Sequence, residues 1–291
     1  MLRSLTSAIS GLQNFQQQMD VIGNNIANVN TPGFKSARTD FADSFSQTLR
    51  NSSAASADGS GSAAMQVGTG VSTSSIKNLY TQGSLIGTTV GTDLAIDGQG
   101  FFVVRDPLSN EVFVTRAGAF DRDSENYLVT SGGQRVQGLN FDHSSEPAVS
   151  TYGDIRIDMS GAPPEVAGSL QAFSINADGQ IRVTNNEAGR FVRAQILLQS
   201  FSDPQGLVKR GNNLFSGMSA AGPLGGATNP TAEAPGTHGL GRIISGSLES
   251  ANVDLSQEFT NMILAQRAFQ ANARVITTSD DMLQELVNLK R

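Results

Sequence analysis

Residues 4–34 read SLTSAISGLQNFQQQMDVIGNNIANVNTPGF, and the spacing of their apolar side chains decides how the chain begins. Met1, Leu5, Ala8, Leu12, Phe15, Met19, Ile22, Ile26 and Val29 follow one another in steps of four and three. That is the heptad seam of a helix that buries one stripe against a partner helix. Thr31-Pro32-Gly33 closes it, because proline disfavours helix in the residue before it and glycine permits a turn. Between Ser4 and Phe34 the only charged side chain is Asp20. The polar face is built instead from Gln13, Asn14, Gln16, Gln17, Asn24, Asn25 and Asn28. A solvent-facing helix usually carries Lys and Glu. Amides can be buried by pairing with other amides and with backbone, which avoids the cost of desolvating unpaired charge. This face is therefore expected inside an assembly.

The far end repeats the pattern. Leu255, Met262, Phe269, Ile276 and Leu283 lie seven apart, and Phe259, Ala273 and Val287 flank them, with Gln266 and Asp280 interrupting that second row. Asp254 is placed as an N-cap, with Gln257 as its capping-box partner. The two ends are expected to pair as an intrachain coiled coil. Phe41, Phe45 and Leu49 suggest a second short amphipathic piece over 37–49.

Between the ends the pattern changes to short runs of strand formers: residues 101–104, 112–114, 127–129, 173–175, 181–183 and 194–198. Asp178-Gly179 separates two of these runs as a hairpin turn. No helical period intervenes, so a parallel α/β sheet is not expected. Residues 51–64 are almost entirely Ser, Ala and Gly, and 217–241 are rich in Gly, Pro and Thr. The first stretch reads as a flexible linker or as an extended contact between subunits. The expected fold class is α+β: paired long terminal helices with an inserted all-β domain. Residues 1–50 and 245–291 form the helical assembly layer, 51–75 an extended connector, and 76–244 the β-rich outer domain.

Little in the sequence points to catalysis. Cysteine is absent, which removes thiolate sites, and only two histidines occur, with no set of further ligands clustered near either to make a four-ligand zinc centre. His143 lies in a polar turn and His238 in the loose 217–241 stretch; neither has a Gly-x-Ser-x-Gly partner. Asp121, Asp123 and Glu125 resemble the opening of a calcium loop, but Asn126 replaces the required glycine and Gly132 the closing carboxylate. No metal or cofactor is expected, and no enzyme activity. A net charge of −6 argues against nucleic acid, and no apolar stretch is long enough for membrane insertion.

Gly23-Asn24-Asn25-Ile26-Ala27-Asn28-Val29-Asn30-Thr31-Pro32-Gly33-Phe34-Lys35 resembles the N-terminal signature of the bacterial flagellar rod and hook axial proteins. Asp93–Phe102, Thr115–Phe120, Leu128–Thr130, Gly246–Leu255 and Ala265–Gln270 are similar to that family's later blocks, in order. The resemblance implies a subunit exported by the flagellar type III apparatus that polymerises with itself into a helical tube. Leu5, Leu12, Phe15, Met19, Ile22 and Ile26, with Leu255, Phe259, Met262, Phe269, Ile276 and Leu283, would form its assembly interface. Val253–Ser256, Gly211–Phe215 and the ending Leu286–Arg291 look like the hook subunit, a curved torque-transmitting tube outside the cell. Partners implied are self, adjacent rod and hook-filament junction proteins, and a hook cap during assembly. The chain is short for a hook subunit, so the resemblance implies one that lacks the large outer domain; the alternative is the distal rod of the basal body, whose members carry an insertion near 51–64.

Overall fold

The computed structural model describes residues 2–52, 61–143, 149–163, 169–185, 189–224 and 232–289. They fall into two compact units. Unit 1 combines residues 1–28, 36–79 and 253–291, and unit 2 combines 29–35 with 80–252.

Unit 1 contains α1 (Leu2–Ala27) and α2 (Leu255–Leu289), which pack against each other as the seams require. Its strands are β1 (Ala37–Asp43), β2 (Ser46–Arg50), β3 (Met65–Gly68) and β4 (Val71–Asn78). β1 pairs with β4 and β2 with β3, both antiparallel. The amphipathic piece expected over 37–49 is thus two strands. The four-residue spacing of its apolar side chains misled, because Phe41 lies on β1 against Phe15 while Phe45 and Leu49 stay exposed. The connector expected at 51–75 contains β3 and most of β4; its residues 53–60 lie outside the described set. Asp254 caps α2, its Oδ1 accepting from the amides of Ser256 and Gln257. The Gln257 side chain turns forward to Asn261 instead of back to the cap.

Unit 2 is antiparallel β. Its strands begin with β5 (Leu85–Gly87), β6 (Leu94–Asp97), β7 (Phe101–Arg105), β8 (Val112–Thr115), β9 (Phe120–Arg122) and β10 (Leu128–Thr130). They continue with β11 (Arg135–Asp142), β12 (Val149–Asp154), β13 (Leu170–Ile175), β14 (Gln180–Asn185) and β15 (Arg190–Ile196). The last are β16 (Leu198–Gln199), β17 (Val208–Gly211), β18 (Leu214–Ser216), β19 (Arg242–Ser245) and β20 (Ser247–Glu249). A 12-stranded sheet takes in β7 to β18, in the order β13-β14-β15-β11-β7-β8-β18-β17 along its main path. The runs at 101–104, 112–114, 173–175 and 181–183 each fall within one strand, that at 127–129 begins one residue before β10, and that at 194–198 is divided between β15 and β16; Gly179 takes the positive φ that the β13–β14 turn requires. The sheet curls around a core that includes Phe102, Phe120, Leu128, Ile155, Ile181, Ile196 and Leu198. On its other face Phe101, Phe201 and Phe215 stack edge to face.

One polar group sits deep in this unit. Glu249, at the end of β20, accepts from Lys35 Nζ at 2.6 Å and from Arg116 Nη1 at 3.3 Å. All three side chains are at most 5% exposed. The same carboxylate accepts from the Gly83 amide, and the Glu249 carbonyl accepts from the Gly33 amide. Lys35 also donates to the Thr81 carbonyl, and Arg116 to that of Gly98. Burial, the largest influence, pulls the Lys35 ammonium below its ordinary pKa, and the bond and charge of Glu249 work against it. Glu249→Ala leaves two desolvated cations without a counter-charge. It is expected to destabilise unit 2 by about 3–5 kcal/mol, read from urea unfolding followed by β-sheet circular dichroism.

Candidate assembly surface

The helix pair fixes what unit 1 can offer a neighbour. A Cβ on Gly11 would lie 2.6 Å from Asn272 Nδ2, and Asn25 Nδ2 donates to Glu258 Oε1 at 3.3 Å. The contacts run in opposite order along the two helices, so α1 and α2 are antiparallel. Both pairs are separated by two heptads, as a regular seam demands.

The inner rows differ from the expected ones. On α2, Met262, Phe269, Ile276 and Leu283 are half-buried as anticipated, but the row beside them is Glu258, Ala265, Asn272 and Ser279. Ala265 and Ser279 are the two buried residues of α2. Phe259, at 51%, and Leu255, at 40%, face outward instead, and Val287 is also exposed. On α1, Ala8, Gly11, Ile22 and Asn25 are buried, while Leu5, Leu12, Phe15, Met19 and Ile26 are half-buried. Small and amide residues thus line the closest approach, and the larger apolar residues flank it. Counting apolar residues alone selects the wrong second row, because a glycine, an alanine and a serine permit close backbone approach without adding hydrophobicity.

Two amides of the charge-poor face turn out to serve unit 1 itself. Asn25 donates to the Ala37 carbonyl at 2.8 Å and accepts from the Ala37 amide at 3.0 Å, standing in for a strand residue beside β1. Asn14 donates to the Val71 carbonyl and accepts from the Thr73 hydroxyl on β4. Their partners are distant in sequence, so the heptad pattern could not reveal them. Gln13, Gln16, Gln17 and Asn24 remain exposed.

Unit 1 leaves several apolar side chains uncovered. One side of α2 carries Leu264, Val275, Met282, Leu286 and Leu289, and another Leu255, Phe259 and Ile263. The β2–β3 ribbon is exposed at every residue and presents Phe45, Leu49, Met65 and Val67. A two-stranded ribbon with neither face covered is marginal in water. Exposed apolar surface of this extent marks an interaction site.

The groups considered for chemistry have simple duties. The His143 ring contacts Phe191 and the Val192 carbonyl. Exposed His238 pairs with Glu233. Asp123 and Asn126 close the β9–β10 turn, Asn126 at positive φ, and Glu125 meets Arg135. Among the described residues no group of three or more His, Asp or Glu is placed to hold a metal ion. Asp154 is raised by burial, but hydrogen bonds from Arg105, Gln137 and Arg135 outweigh this and keep its carboxyl below the usual range.

Comparison with known proteins places these features in a lineage. Residues 5–35 match the flagella basal body rod protein model, 95–183 the flagellar hook protein FlgE/F/G D1 domain, and 244–289 the flagellar basal body rod FlgEFG protein C-terminal model. The flagellar basal-body rod protein FlgG of Bacillus subtilis is 42% identical over 291 residues, spanning the whole of both chains. That of Borreliella burgdorferi is 33% identical over 298 residues, again spanning both chains. The flagellar hook protein FlgE of Borreliella burgdorferi is 30% identical, in an alignment 450 residues long that spans both chains. Among solved structures, a Helicobacter pylori flagellar hook protein is similar at 17% identity over 50% of this chain and 32% of that one; its TM-score of 0.22 supports no argument.

The two phenylalanines of α2 separate the inner seam from the outer stripe. Phe269→Asp is expected to lower the thermal stability of the isolated chain, because the charge enters the helix pair. Phe259→Asp is expected to leave that melting curve within a degree or two, since its side chain already meets water, and to reduce self-assembly by sedimentation. Equal melting losses in both variants would show that the seam is drawn wrongly.

Proposed function

Because this chain belongs to the flagellar basal-body rod and hook protein family, whose members are non-enzymatic structural subunits of the flagellar axis, we propose that it is the distal rod subunit of the basal body. The observation that carries this reading is length. The rod relative matches 291 residues with 291, whereas alignment to the hook relative stretches over 450. A hook subunit of that kind carries extra sequence for which this chain has no counterpart. The order expected from the sequence, hook before rod, is reversed accordingly.

The features that favoured the hook have structural duties a rod subunit shares. Asn212 and Asn213 take the positive φ of the β17–β18 turn, and Asn213 donates to the Pro32 carbonyl. Asp254 caps α2. Neither duty bears on curvature.

In this reading the chain polymerises with itself and meets adjacent axial proteins at the ends of its tube. The outward residues of α2 and the β2–β3 ribbon are the surfaces that neighbours cover.

Complementation separates the two members. Expressed in a strain lacking its own distal rod subunit, the chain is expected to restore rods and the hooks that depend on them. Expressed in a strain lacking the hook subunit, it is expected to leave basal bodies without curved hooks. Electron micrographs showing curved hooks in the second strain would overturn the rod assignment.

A further inference from the structure

The β7–β8 hairpin ends in a knob. Leu108 at its tip is 94% exposed. The turn beneath it is built firmly: Asp106 Oδ1 accepts from the Leu108 amide at 3.1 Å, and its Oδ2 from the Ser109 hydroxyl at 2.8 Å. The Asp106 carbonyl accepts from the Asn110 amide, and Arg105 donates to the Asn110 side chain. The bonds from Ser109 and Leu108 hold the Asp106 carboxyl below its usual pKa, so it stays anionic beside exposed Glu111.

A groove of about 460 Å³ opens on the β13–β14–β15 face of the same unit. Phe173, Phe191, Ala172 and Val192 give it an apolar lining, and Arg182 and Arg190 contribute two cations. Phe191 is fixed by the His143 ring, 6.0 Å away and edge to face. Neither arginine forms an ion pair among the described residues.

The strand register keeps knob and groove apart within one chain. Arg105 pairs with Arg135, at the start of β11, so the hairpin tip projects beyond that end. Ala194 pairs with Asn140, so Arg190–Val192 lie at or past the other end, near Asp142. Eight strand residues separate the two ends, roughly 25 Å. A patch and its complement at opposite ends of one molecule can meet reciprocally in a two-fold pair or head to tail; the head-to-tail contact is the one that repeats, into a ring or an open helical array, and so the one that a tube subunit uses.

We infer that unit 2 of one copy seats its Leu108 knob in the Phe173/Phe191 groove of the next, with Asp106 and Glu111 facing Arg182 and Arg190. The occupant is a second copy of this chain. The opposite charges of tip and groove and their placement at opposite ends of β11 select it. The contact rests on the reading of the chain as a subunit that repeats along a tube, and adds the residues that set the repeat between β units.

The chain has no cysteine, so an introduced pair reports one contact without background. Leu108→Cys with Val192→Cys in the full-length protein is expected to give a ladder of disulfide-linked oligomers on mild oxidation, while either single variant gives dimers at most. Separately, Asp106→Arg with Glu111→Arg, or Arg182→Glu with Arg190→Glu, is expected to raise the concentration needed for assembly at least tenfold. Combining all four reversals should restore most of it. Thermal melting of each variant checks that unit 2 remains folded. If the wild-type chain assembles while the double-cysteine protein stays monomeric and the reversals change nothing, this contact is overturned and the tube reading stands. A wild-type chain that shows no self-association overturns both.

Discussion

Glu249 neutralises two cations drawn from opposite stretches of unit 2: Lys35, close to its first residues, and Arg116, from the segment after β8. Both are buried, so each depends on that one carboxylate. The backbone reinforces the arrangement, since Gly33 and Gly83 also donate to Glu249. Burying three charges is costly unless the geometry is close and every remaining donor finds an acceptor. Here the carbonyls of Thr81 and Gly98 each take one further donor, while Arg116 Nε is left buried without an acceptor. The segments 29–35 and 246–252, which lead out of α1 and into α2, are thereby held to the sheet. The curled sheet can be continuous in the middle of the chain because both of its exits are anchored at one point.

Unit 1 solves a different problem with fewer resources. Its helix pair is made close by Gly11, Ala265 and Ser279, and specific by Asn25 and Asn272. That choice leaves much of the chain's apolar supply outside the seam. A monomer optimised for its own stability would turn Phe259, Leu264 and Phe45 inward. Their exposure is what a subunit retains when its neighbours complete its core, and the charge-poor flank of α1 belongs to the same economy of burial.

Much of this was legible in the sequence. Heptad spacing located both helices, the cap at Asp254, and one row of the seam. Alternating strand formers located the sheet strands, and Asp178-Gly179 a turn. The second seam row was not legible, because small residues carry no hydrophobic signal. Strands β1 and β2 were missed since Phe41, Phe45 and Leu49 happen to repeat every four residues, and β3 and β4 since their side chains stay largely outside any core and read as a connector. The buried triad left no trace: Lys35 and Glu249 lie 214 residues apart, and each alone reads as an ordinary surface charge. Length favours the proposed rod reading only once full-length relatives give it a scale.

That same separation imposes an order in time. A chain that emerges N-terminus first, from a ribosome or through a narrow channel, presents Lys35 and then Arg116 long before Glu249 exists to receive them. Until the last strand of unit 2 arrives, closing the sheet over those cations would strand two bare charges, so the partly emerged chain has reason to stay open. The clasp thus makes unit 2 all-or-none with respect to its own synthesis. An incomplete polypeptide lacks the carboxylate that allows it to shut, so desolvating the two cations adds to the missing pairing of β19 and β20 in opposing premature folding.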